Sequence, residues 1–129
     1  MTGAPPLTQE EKRALLRIAR DAIAAFLSGR ALSLKDYPLT ESLAAHRCAF
    51  VTLHDAGGGL RGCIGTLEAR ASLAETVRDH AVHAACHDPR FSAVTSGELD
   101  ALSVEISALA PGEVPGTPFL PVASLDEIV

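Results

Sequence analysis

The stretch Cys48-Ala49-Phe50-Val51-Thr52-Leu53-His54, followed by Asp55-Ala56-Gly57-Gly58-Gly59 and then by Leu60-Arg61-Gly62-Cys63-Ile64-Gly65-Thr66, decides the fold. Its two flanks are rich in strand formers, and the glycine-rich middle supplies a turn. Ala49, Val51 and Leu53 alternate onto one side of the first strand, and Leu60, Gly62 and Ile64 onto one side of the return strand. Turning both apolar sets toward a single core sets the register. Val51 then stands across from Ile64, and Leu53 across from Gly62. The other face carries Thr52 and His54 beside Arg61 and Cys63.

On the N-terminal side, Thr8 and Glu11 have the spacing of a capping box. Leu15, Leu16, Ile18, Ala19, Ala22, Ile23, Phe26 and Leu27 recur at helical spacing, and Ser28-Gly29 is a stop. This predicts an amphipathic core helix over 8–28. Residues 30–46 read as loop with one helical turn around 39–45, because Tyr37-Pro38 disfavours helix before the proline. On the C-terminal side, Ser72 and Glu75 open a second helix that Asp88-Pro89 ends, over 72–87. Its stripe of Leu73, Ala74, Val77, Ala81, Ala84 and Ala85 has the small residues of a helix packed closely on a sheet. Phe91 reads as a core plug beneath the turn. Thr95 and Glu98 begin a short helical turn, and 102–110 alternates as a half-buried strand. From Pro111 to Pro121 the prolines and glycines punctuate an extended connection that takes in 119–123, and 124–129 begins another element. The expected fold is α+β: an antiparallel β-sheet of hairpin 48–66 and strand 102–110, flanked by α-helices.

Composition narrows the function classes. The chain has 129 residues, 47% hydrophobic and 21% charged, which suits one folded domain rather than a disordered chain. Net charge is −5 and aromatics are 4%, so neither a basic coat nor a stacking platform for nucleic acid is expected. RNA binding would need a local strip such as Arg61, Arg70, Arg78 and Arg90. Three cysteines without dense spacing, no leader-like N-terminus and no membrane-length apolar run point to a reducing, cytoplasmic setting.

Three groups of residues can carry chemistry. Two glycines inside a strand call for a close approach of backbone or ligand, or a bulge. Arg61 and Cys63, two apart, should leave the strand on one side. A guanidinium beside a thiol favours the nucleophilic thiolate. With His54 on that face, the three suit nucleophilic work or capture of an anion or metal. An inert cysteine in a glycine-relieved sheet is the competing reading. Second, His80, His83 and His87 share one side of the second helix, yet no HExxH pattern surrounds them, and the sequence assigns no metal. Third, Asp88 and Arg90 either orient a ligand or simply stop the helix.

The run Leu60-Arg61-Gly62-Cys63-Ile64-Gly65-Thr66 closely resembles the LRGCIGT signature of the AMMECR family, whose bacterial and archaeal members are called AmmeMemoRadiSam system protein A. Asp88-Pro89-Arg90-Phe91 with Leu99 is similar to the family's DPRF…EL segment, and Val104-Glu105-Ile106-Ser107 with Leu109 to its E-(V/I)-S-x-L strand. The resemblance implies an α+β domain over 1–129 and a C-terminal continuation after Val129. It names no cofactor and no settled reaction. It implies a Memo-like protein and a radical-SAM protein as partners. Carried over by residue, Arg61, Gly62, Cys63, Gly65 and Thr66 form one element, and Asp88 and Arg90 the second. The enzyme reading gives catalytic roles to Cys63, Arg61 and His54, and binding roles to Gly62, Gly65, Thr66, Asp88 and Arg90. The alternative is a non-catalytic adaptor. A sheet lacking later strands would expose an edge, so the chain in isolation is expected to aggregate or to form a homodimer.

Overall fold

Thr8 Oγ1 accepts from the Glu11 N–H at 3.1 Å, and Glu11 Oε1 accepts from the Thr8 N–H at 2.8 Å. This reciprocal cap starts helix α1, Gln9–Leu27. A computed structural model describes it together with the rest of residues 7–37, 39–66 and 69–108 and the backbone of 121–124. Thr40 caps a single-turn helix α2, Glu41–Ala44. Strands β1, Ala49–His54, and β2, Leu60–Gly65, form the hairpin. In its turn the Asp55 carboxylate accepts from the Gly57 and Gly59 N–H groups, both at 2.9 Å, and Gly58 takes a positive φ. Ser72 and Glu75 repeat the reciprocal cap at helix α3, Leu73–Cys86. A 3₁₀ turn at Leu99–Ala101 precedes strand β3, Ser103–Ala108, and strand β4 is Pro121–Ser124.

The strands form one antiparallel sheet in the order β2-β1-β3-β4. Val51 pairs with Ile64 and Leu53 with Gly62, as the alternation requires. Both long helices cover the face of Ala49, Val51, Leu53, Val104 and Ile106, all nearly inaccessible to solvent. Leu15, Ile18 and Ile23 of α1 and Val77, Ala81 and Ala84 of α3 complete that core. Arg20 fastens α1 to the 3₁₀ turn, donating to the carbonyls of Leu99 and Leu102 at 2.7 Å each.

Four expectations are revised. The hairpin register shifts between Leu53 and His54: His54 pairs with Leu60, leaving Arg61 as the extra residue of a bulge. Phe26 falls at the edge of the α1 stripe and is 44% exposed, so it is not core. Phe91 is only half-buried, and Val94 fills the place beneath the turn, its N–H bonded to the Ala85 carbonyl at 2.8 Å. Residues 121–123, read as connection, belong to β4, where proline is tolerated because it opens a short edge strand. The rest of the punctuated segment and the element expected over 124–129 lie outside the described residues, Ser124 apart. None of the described helices is long and apolar enough to cross a membrane.

Candidate functional site

Because the helices cover one face of the sheet, the side chains between the core positions share the other. Pairing sets Glu105, Thr52 and Cys63 in one cross-strand row and Ser103 and His54 in the next. All five are half-buried. The Cys63 Sγ lies 3.2 Å from Thr52 Oγ1, a contact in which either atom can donate. His54 is on the same face, one row along the strand, and roughly 7 Å is the ordinary span of such a diagonal.

The bulge separates Arg61 from this row. Its guanidinium crosses to the loop after α3, where Nε and Nη2 donate to Glu98 at 3.1 and 3.2 Å and Nη1 donates to the Ser92 carbonyl at 2.7 Å. Arg61 beside it, and then the Thr95 N–H, hold the Glu98 carboxyl below its usual range. Burial pushes the Cys86 thiol up, and Arg61 partly restores it. The expected pairing of Arg61 with Cys63 is therefore replaced, because the i, i+2 rule presumes an unbroken pleat.

Arg90 is the guanidinium at Cys63. Asp88, 4% exposed, accepts from the Cys63 N–H at 3.1 Å and from Arg90 Nε and Nη2 at 3.0 and 2.8 Å. Arg90 Nη2 also donates to the Cys63 carbonyl at 3.4 Å. Together the pair bonds both main-chain groups that Cys63 turns toward the open edge of β2, as a neighbouring strand would. Arg90 beside it holds the Asp88 carboxyl well below the usual carboxylate range. Burial opposes this, and the N–H groups of Arg90 and Cys63 add to it. Arg90 remains 56% exposed at its side chain, so it meets solvent beside the Cys63 peptide.

The two glycines answer to packing. A Cβ on Gly62 would run into the Ala84 carbonyl of α3, and one on Gly65 into the Phe50 ring. Gly62 thus lies beneath a helix rather than open to a ligand. Thr66 closes the strand, its N–H bonded to the Ala49 carbonyl at 3.1 Å. On α3 the His80 and His83 rings meet edge-on and the His83 and His87 rings at a tilt, with centroids 5.6 and 5.5 Å apart. Among the described residues no three His, Cys, Asp or Glu side chains are grouped to hold a metal ion. Sequence reasoning left Thr52, Glu105 and Glu98 out of the site. The strand alternation puts Thr52 and Glu105 on this face, whereas nothing local points to Glu98.

The AMMECR1 family model matches residues 16–118, most of the chain. The chain belongs to the AMMECR1 family. A relative from Methanocaldococcus jannaschii is 40% identical over 109 residues, covering 84% of this chain and 53% of that protein. A relative from Thermotoga maritima is 44% identical over 93 residues, covering 70% of this chain and 51% of its own. The crystal structure of an uncharacterized Pyrococcus horikoshii protein superposes with a TM-score of 0.69 at 37% identity, over 81% of this chain and 53% of that one. This AMMECR1 chain spans about half the length of the curated relatives it matches.

Proposed function

We propose that this AMMECR1-family chain carries a cysteine-centred reaction site for an anionic substrate. Cys63 is the reacting thiol, Arg90 the cation that holds the anionic group beside it, and His54 the proton acceptor on the same face. One observation carries the reading: the half-buried Cys63 Sγ, set by Thr52, has its peptide clamped by Asp88 and by an Arg90 still open to solvent. A clamped peptide fixes where the sulfur sits, and a preoriented cation beside it lowers the cost of bringing an anion there. Arg61 then serves as a positioning residue, anchoring the loop of Ser92 and Glu98. The Memo-like and radical-SAM partners implied by the family belong to this proposal, as the proteins with which such a site would act in a modification pathway.

The adaptor reading is favoured by the glycines, whose lack of side chains is already used by Ala84 and Phe50 and needs no substrate. Alkylation of the folded chain, mapped peptide by peptide, separates the two. Cys63 should react with iodoacetamide well ahead of buried Cys48 and of Cys86. The anionic reagent iodoacetate should gain on iodoacetamide at Cys63, and Arg90→Gln should remove that gain. A Cys63 that reacts no faster than Cys48 leaves the adaptor.

A further inference from the structure

Away from the sheet face, a cavity of about 780 Å³ opens between the end of α1, the following loop and the middle of α3. Its shape begins with a helix stop. Gly29 takes φ +78°, its N–H bonds the Phe26 carbonyl at 2.9 Å, and the Arg30 N–H bonds the Ala25 carbonyl at 2.8 Å. This left-handed turn folds Arg30 and Leu32 back beside Phe26. Phe26 is among the few large apolar side chains left exposed, and one side of its ring rests on His87 at 5.6 Å. Ala22, Leu32 and Val82 extend the apolar wall. Arg30, Arg78, Asp79 and His83 supply the polar rim. Arg78 is already joined to Asp79 at 2.8 Å. Among the described residues no carboxylate pairs with Arg30, so the rim's uncompensated charge is Arg30's.

We propose that this cavity binds a small amphipathic anion, with its apolar body against Phe26, Leu32 and Val82 and its anionic head at Arg30. The volume is that of a site for a small organic ligand, and such sites pair apolar walls with a few placed polar groups. On a chain of net charge −5, long-range electrostatics repel anions, so a local guanidinium is what makes an anionic head favourable here. The site is independent of Cys63.

Titration of the folded chain with anilinonaphthalene sulfonate, displaced by decanoate, tests the proposal. One probe should bind per chain. Arg30→Glu should weaken it at least fivefold, Arg30→Lys less than twofold, and Phe26→Ala several-fold, while Cys63→Ser leaves it unchanged. Arg30 is exposed in a loop, so its variants keep the fold, which circular dichroism verifies. Decanol should displace the probe more weakly than decanoate. Binding unchanged in Arg30→Glu, or decanol equal to decanoate, would overturn the assignment. So would a dimer in sedimentation that Phe26→Ala dissociates, since a second copy would then be the occupant.

Discussion

Gly62 shows how a single missing side chain sets the distance between two layers. Its Cα faces the Ala84 carbonyl so closely that any Cβ must move helix backbone, not a flexible tip. Forced overpacking of this kind costs about 1–3 kcal/mol. Gly62→Ala should therefore lower the melting temperature by several degrees, whereas Gly57→Ala, whose Cβ would meet Asp55 Oδ1 at an ordinary 3.5 Å, should leave it nearly unchanged. Gly65 differs because its main obstacle is a side chain. The Phe50 ring covers it across the hairpin, so Phe50→Ala should relieve part of the damage of Gly65→Ala and none of that of Gly62→Ala. Thermal melts of the singles and doubles read the coupling. Additive losses for Gly65→Ala and Phe50→Ala would refute the covering role of the ring.

At the scale of elements, both long helices start with the same reciprocal cap. Losing a serine or threonine cap costs about 1 kcal/mol. Ser72→Ala and Thr8→Ala should each show that loss in denaturant melts. Thr8→Ala should lose more, because its partner Glu11 also accepts from Thr40 and is nearly buried. These caps, the two helices and the hairpin register are legible in the sequence because each rests on a local period or a spacing of three residues. The Val51–Ile64 pairing follows from alternation, for which a one-residue slip would put the apolar set in water. The bulge at Arg61 escapes the same logic, since alternation assumes an unbroken pleat. Asp88 to Cys63 and Arg61 to Glu98 are bonds across 25 and 37 residues, and no local pattern announces them. Strand β4 is hidden by its own proline, and Phe26 by lying where the apolar stripe of α1 meets solvent. The face of the candidate site is thus readable, and Arg90 stands out as a binding residue, but its place at the Cys63 peptide, in the position expected for Arg61, is not.

For the molecule as a whole, buried and bridging carboxylates tie the layers together, and this makes the fold acid-sensitive. Asp88 links the end of α3 to the edge of the sheet, Glu98 links the next loop to Arg61, and Glu11 links α1 to Thr40. All three are more acidic in the fold than their ordinary values of 3.8 for Asp and 4.5 for Glu. For Glu11, burial works the other way and is outweighed by Thr40, Thr8 and Arg47. The unfolded chain therefore takes up protons first as pH falls, and stability falls with it. The contribution is whole above those ordinary values and disappears as pH drops through the folded ones. His83 adds a shallower decline from its ordinary value of 6.5 downward, because burial and then His80 and His87 disfavour its charged form. Its exposure keeps that part small. Urea midpoints followed from about pH 7 to about pH 2.5 should fall gently at first and steeply below about pH 4.5. Asp88→Asn should lower the midpoint at neutral pH, because it breaks the pair with Arg90, and flatten the steep limb, because one linked proton is gone. If Asp88→Asn keeps the wild-type slope below pH 4, then the carboxylate is not what clasps α3 to the edge of β2, and the placement of Arg90 beside Cys63 loses its support.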